Sequence, residues 1–190
     1  EFRRVLFRST TATFAQDSTN YLELGLTQNK TGNYADALRN FSLEIEKNVA
    51  NPNPISFYNR GFAKYNLKDF RGAILDFDKA IELKPTYFEA FIARGQSYSK
   101  QENHKVAIQD YNEAIRLNPL EATAYFSRGI SKSKLANYRG ALSDYNKSLE
   151  LNAEYAPGLA ARGEAKAHLA DYKGSIEDFD KAIEISPKRA

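Results

Sequence analysis

"AYFSRGISKSKL" (residues 124–135) sets an Arg-Gly pair in the middle of what otherwise reads as a helix. Glycine inside a helix costs about 1 kcal/mol relative to alanine. A lone glycine there would weaken the helix reading, but this one is not alone. Arg-Gly stands at 60–61, 94–95, 128–129 and 162–163, at intervals of 34 residues. Such a pair has two readings, a contact to nucleic acid or a packing device, and a fixed period favours the second because it signals a repeated structural unit.

Other columns keep the same phase. Twelve residues after each glycine comes a small residue: Ala73, Ala107, Ala141 and Ser175. Four beyond these stand Phe77, Tyr111, Tyr145 and Phe179, followed by Ala80, Ala114, Ser148 and Ala182. Ile81, Ile115, Leu149 and Ile183 come next, and Pro85, Pro119 and Pro187 close three of the units, with Ala153 in the other. An earlier unit fits with Leu24, Gly25, Ala37, Phe41 and Ile45, its glycine 36 residues before the next. The two extra residues fall near "NVANPNP" (48–54), where Asn and Pro favour a turn.

Within a unit, the first helix carries an apolar residue four before the glycine: Tyr21, Phe57, Phe91, Tyr125 or Leu159. A turn such as "NLKDF" or "KLANY" leads to a second amphipathic helix such as "GAILDFDKAIEL" (72–83). Neither helix can bury its apolar face alone, so the pairs must stack into a solenoid with one continuous interior. The glycine is expected to let the two helices approach closely, with the small residues of the second helix opposite it. The second set of Arg-Gly pairs, Arg71-Gly72 and Arg139-Gly140, reads as a solvated start just ahead of the second helix.

These columns resemble the tetratricopeptide repeat, whose signature joins Leu-Gly, a following Tyr, Ala-x-x-x-Phe, a second Ala and Pro. The resemblance covers about residues 18–190 and implies an all-α fold: an α-solenoid of five antiparallel helix pairs in a right-handed superhelix. Its units run about 18–53, 54–87, 88–121, 122–155 and 156–190, after a non-repeat segment at 1–17. The sequence departs from the signature in two columns. Arginine replaces the usual leucine at Arg60, Arg94, Arg128 and Arg162, and the aromatic after the glycine survives only as Tyr98, against Gln28, Lys64, Lys132 and Lys166.

Sixteen residues after each of these arginines stands an aspartate: Asp76, Asp110, Asp144 and Asp178. An arginine at a packing position is costly unless it is paired. The two columns are therefore expected to pair, within or between neighbouring units. With Gly25, Gly61, Gly95, Gly129 and Gly163 they form the structural set.

In the family, successive first helices line a concave face. That implies a stripe at three before, one after and four after the glycine, one side of a helix. The groove candidates on and beside it are Leu22, Leu26, Tyr58, Phe62, Tyr65, Ile92, Gln96, Ser99, Lys100, Phe126, Ile130 and Lys134. The stripe is more apolar than a solvated face needs, and exposed apolar patches with aromatics mark binding surfaces. Burial of several members against the next unit is the alternative. The family's carboxylate clamp for chaperone tails is matched only by Asn59. Leu22, Leu26, Glu89 and Ala93 occupy its other positions, and the register one unit later has no match, so such a receptor is not expected.

Bulk properties narrow the function further. The 190 residues are 42% apolar and 27% charged, typical of a folded chain. The net charge is +3, of which residues 1–10 carry +2 (Arg3, Arg4 and Arg8 against Glu1), so the repeat body lacks the basic stripe of a phosphate-backbone binder. No apolar run is long enough to span a membrane. Cysteine is absent. His104 and His168 lie in different units and at different places within them, with no metal or catalytic spacing around them, and His104 replaces the aromatic that opens a second helix. The paired aspartates Asp76/Asp78 and Asp178/Asp180 lack the loop glycine of a calcium site.

The expected function is a non-catalytic scaffold that holds a peptide or protein segment in its groove, without cofactor or metal. The alternatives are a nucleic-acid-binding helical repeat and a self-assembling array. "TTATFAQDS" (10–18) resembles the end of a bacterial export signal and leans towards export. "SPKRA" (186–190) stops where another unit would begin, which suggests a fragment or an uncapped last helix able to self-associate.

Overall fold

The computed structural model describes residues 20–187. The segment 1–17 and the whole export-like stretch lie outside the described residues. Ten α-helices and no strand occur among the described residues. They are α1 (Tyr21–Thr31), α2 (Tyr34–Lys47), α3 (Pro54–Asn66), α4 (Phe70–Leu83), α5 (Phe88–Lys100), α6 (His104–Leu117), α7 (Ala122–Lys134), α8 (Tyr138–Leu151), α9 (Ala156–His168) and α10 (Tyr172–Ile185). Each odd-numbered helix packs on the helix that follows it, and each even-numbered one on the next pair, which makes an all-α solenoid.

The turn inside each pair has one backbone solution. Its central residue is left-handed: Gly32 at φ 78°, Lys68 at 66°, Glu102 at 60°, Ala136 at 57° and Ala170 at 64°. The next amide then donates back into the last turn of the first helix, as Asp69 N does to the Lys64 carbonyl at 2.9 Å and Asn137 N to Lys132 at 2.9 Å. This closure satisfies carbonyls that the helix end would otherwise leave free.

Three of the second helices, α4, α8 and α10, start on a side-chain cap. Asp69, Asn137 and Asp171 accept from the amides of Gly72, Gly140 and Gly174 at 2.8, 3.0 and 3.0 Å. Arg71-Gly72 and Arg139-Gly140 therefore lie inside the first turns of α4 and α8, not ahead of them as the sequence suggested. A Cβ on Gly72 would fall 2.1 Å from Asp69 Oδ2, so glycine there makes room for the cap.

The mid-helix glycines answer to packing. At Gly25, Gly61, Gly95 and Gly129 the group that fills the space is the aromatic of the second helix and not the small residue expected, whereas at Gly163 the carbonyl of the small residue Ser175 and the Phe179 ring are equally near. A Cβ would meet Phe41 at 2.8 Å from Gly25, Phe77 at 2.8 Å from Gly61, Tyr111 at 2.7 Å from Gly95 and Tyr145 at 2.6 Å from Gly129. The small residues serve other seams. Ala80 and Ala90 close the joint between α4 and α5, and Ala114 and Ala124 that between α6 and α7, all four fully buried.

Candidate functional site

The arginine column forms a ladder along the solenoid. Arg60 Nε and Nη2 donate to Asp76 Oδ2 and Oδ1 at 2.9 and 2.6 Å. Arg94 holds Asp110 at 3.0 and 2.6 Å, and Arg128 holds Asp144 at 2.9 and 2.6 Å. Arg162 grips Asp178 in the same two-pronged way. The aspartates are buried and the guanidinium planes fit them bidentately, the geometry in which arginine outperforms lysine.

Two further sets of partners escaped the sequence reading. Lys64, Lys132 and Lys166 sit one helical turn past their arginines and donate to the same aspartates at 2.8, 2.7 and 2.8 Å. The free nitrogen of each later arginine reaches back to the preceding pair, Arg94 Nη1 to Asp78 at 2.6 Å, Arg128 to Asn112 at 2.7 Å and Arg162 to Asn146 at 3.0 Å. The signals were present: lysine four after arginine, and Asp or Asn two after the aspartate, both with the period of 34.

Tyr98 takes the lysine's place in the third pair, so Asp110 has Arg94 but no lysine beside it, and the nearby Asp78 charge adds to the upward push of burial. Burial pushes the Asp110 carboxyl above its ordinary value, and the bonds from Arg94 only partly offset this. At Asp178 burial also pushes upward, but the bonds from Arg162 and Lys166 win and hold the carboxyl below its usual range. Arg94 is itself held more firmly protonated: burial works against the charge, and Asp110 and Asp78 outweigh it.

The first-helix stripe is less uniform than its spacing suggests. Ile92 is only 8% exposed, in a cluster with Phe91, Ala107 and Tyr111, so it does not line an open groove. Tyr58 packs between Phe77 and Tyr87, with centroids 5.8 and 5.0 Å away, and burial raises its hydroxyl pKa. Phe126 likewise meets Tyr145 and Tyr155 at 6.0 and 4.9 Å. Residues three before the glycine are thus shared with the core, because the following pair curves over them. Leu22 and Leu26 pack beside Ala37, Phe41 and Ala63. Tyr65 rests edge-on against Phe70 at 5.4 Å.

Other members stay accessible. Phe62 is 36% exposed, its ring edge-on to Tyr34 at 6.1 Å. Lys100 and Lys134 are exposed, and Gln96, Ser99 and Ile130 half-buried. Ser99 Oγ lies 3.2 Å from His104 Nδ1, and His168 stacks on Tyr138 with centroids 4.0 Å apart. Between α7 and α9 the surface opens into a cavity of about 380 Å³, lined by Ile130, Ser133, Lys134, Pro157, Ala160 and Glu164 among others. No group of three or more His, Cys, Asp or Glu side chains suited to a metal occurs among the described residues. None of the described helices is long and apolar enough to cross a membrane.

Stacked helix pairs with glycine-aromatic seams and an inner stripe of mixed polarity define a helical-repeat protein of the solenoid class. Tetratricopeptide-repeat profiles match residues 54–87, 88–120 and 156–189, and the chain belongs to that family. Solved structures share the architecture. MamA (41 to end) from Desulfovibrio magneticus RS-1 superposes with a TM-score of 0.76 at 24% identity, over 89% of this chain and 94% of that one. YrrB, described as a TPR protein with an unusual peptide-binding site, gives 0.71 at 21% identity, over 89% and 86%. A thermophilic TPR protein from Thermus thermophilus gives 0.71 at 20% identity, over 90% and 92%. No curated protein sequence matches the chain.

Proposed function

We propose that the chain is a non-catalytic interaction scaffold that holds a peptide or protein segment against the inner face of its first helices. The observation that carries this reading is the open cavity between α7 and α9, where Ile130 and Ala160 supply apolar wall and Lys134 and Glu164 supply charge. Phe62 extends the accessible apolar surface two pairs earlier. An apolar floor with a few charged groups at its rim suits a side-chain anchor with an orienting polar contact. Membership of a family built for protein contacts supports the reading, as does the peptide-binding site named for YrrB.

The arginine column speaks against the nucleic-acid alternative. All four guanidiniums are engaged by buried carboxylates and so are poorly placed to neutralise phosphates. The test is selection of peptides from a displayed random library on the full chain, with hits re-measured on two variants. Peptides should lose at least about tenfold in affinity on Ile130→Ala/Lys134→Ala, and none on Leu75→Ala, a side chain exposed on α4. Hits that bind both variants as well as the parent would refute the groove.

A further inference from the structure

The joint between α2 and α3 is built differently from the later ones. Where α4 meets α5, Ala80 and Ala90 close an apolar seam, and Ala114 and Ala124 do so where α6 meets α7. The residues that hold these two places in the first joint, by their offsets from Gly25 and Gly61, are Glu44 and Ser56. The connection is also longer: residues 48–53, against 84–87, 118–121 and 152–155 in the later joints. Glu44 is only 8% exposed and Ser56 is fully buried. Asn48 Nδ2 donates to Glu44 Oε1 at 3.0 Å, but Glu44 Oε2 and Ser56 Oγ have no hydrogen-bond partner among the described residues. Lys47, three residues on from Glu44, has its ammonium over the Tyr21 ring, 4.3 Å from the centroid. Beside Glu44 a mainly polar cavity of about 360 Å³ opens, lined also by Asn48, Asn51, Pro52, Asn53 and Pro54.

We propose that this joint is a binding pocket for a primary ammonium group, carried by a lysine side chain of a partner protein or by a free amine. A buried carboxylate oxygen without a donor is costly, and two later joints close on alanine, so packing alone does not call for it. An incoming cation supplies the missing donor. The cavity holds many times the roughly 30 Å³ of one water, which leaves room for an alkyl chain behind the charge. Asn48 already occupies Oε1, so the carboxylate lacks the two open oxygens that a guanidinium grips in the rung of Arg60 and Asp76. An ammonium has three donors on one atom and takes Oε2 together with the carboxamide oxygens of Asn48 and Asn51. Calcium gathers about six to eight oxygen ligands. Glu44 is the single acid lining this cavity. The pocket is independent of the groove between α7 and α9.

The probes are N-acetyl-lysine methylamide for the protein source and putrescine for the free amine. Each is titrated into the isotope-labelled full chain and followed by NMR at the side-chain amides of Asn48 and Asn51. Saturable shifts are expected with at least one of the two, and the tighter binder identifies the source. Glu44→Gln should weaken binding at least about tenfold. It should melt no lower than the parent in circular dichroism, because a neutral amide replaces an unpaired buried charge. Silence from both amines would overturn the proposal, as would equal binding to Glu44→Gln and the parent. So would N-acetyl-arginine methylamide, calcium or potassium binding as tightly as the better amine. A Glu44→Gln melt below the parent's would also overturn it, since the carboxylate would then serve the fold.

Discussion

The ring of Tyr145 lies against the backbone of Gly129 so closely that a Cβ on the glycine would stand 2.6 Å from Cε1. The ring is almost fully buried, and burial pushes its hydroxyl pKa up to about 12. Glycine is unfavourable to a helix by about 1 kcal/mol, yet every pair keeps it, so the packing it permits must outweigh the propensity it forfeits.

Gly129→Ala should therefore destabilise by about 1–3 kcal/mol despite alanine's better propensity, because the added Cβ would overlap the Tyr145 ring and force it out of its packed position. Gly163→Ala should cost less, since the added Cβ would meet Phe179 and the Ser175 carbonyl at a looser 3.1 Å. Urea midpoints of the two variants measure the difference. A Gly129→Ala protein as stable as the parent would remove the close-approach account.

Removing both members of a ladder rung should cost less than the two single removals added together. Asp144→Ala leaves Arg128 and Lys132 facing a seam without their acceptor and should cost about 3 kcal/mol. Arg128→Leu/Asp144→Ala should be less damaging than the sum of the singles, with a coupling of about 1 kcal/mol or more in a double-mutant cycle. Strict additivity would show that the rung contributes nothing as a pair.

Ala136 occupies the left-handed position of its turn at φ 57°, where the first pair has Gly32. A non-glycine residue bears a cost of about 1–2 kcal/mol in that conformation. Ala136→Gly should stabilise by about 1 kcal/mol, raising both the melting temperature and the urea midpoint. A lower midpoint would mean that the greater freedom of glycine in the unfolded chain dominates instead.

Asp110 and Asp178 should respond oppositely to acid. The folded pKa of Asp178 is depressed below 3.8, so its contribution is fully present above the unfolded value and disappears as pH falls through the folded one. The folded pKa of Asp110 is raised, so it binds its proton more readily folded than unfolded and adds stability as pH falls towards 3.8. Carboxyl titration by NMR should order the two accordingly. Tyr98→Lys, which restores the lysine of the other rungs, should lower the Asp110 midpoint, and an unmoved midpoint would disprove the lysine's role.

Much of the architecture was legible before any coordinates. The period of 34, the alternation of two amphipathic stretches and the phase of Arg60 with Asp76 follow from residue identity at fixed spacing, which a single chain displays. The lysines at 64, 132 and 166 keep the same period, but they stand where the family signature has an aromatic, and only the packing of the two helices brings them to the aspartates that the arginines hold. The inner stripe was harder. Tyr58, Ile92 and Phe126 share one column, and nothing in their spacing tells how deeply the next pair covers them.

The sequence by itself determined the unit, its helical pairing and the chemistry of each column, because those depend on local periodicity and on groups that must satisfy one another wherever they meet. Tertiary structure decided the depths. Tyr145 rather than a small residue fills the space at Gly129, and Ile92 is enclosed while Phe62 opens outward. Arginines reach back to Asp78, Asn112 and Asn146, whereas Asp180 has no such neighbour among the described residues. Those outcomes depend on how far each pair rotates over the one before. That rotation is set by the summed packing of whole helices and not by any one residue's identity.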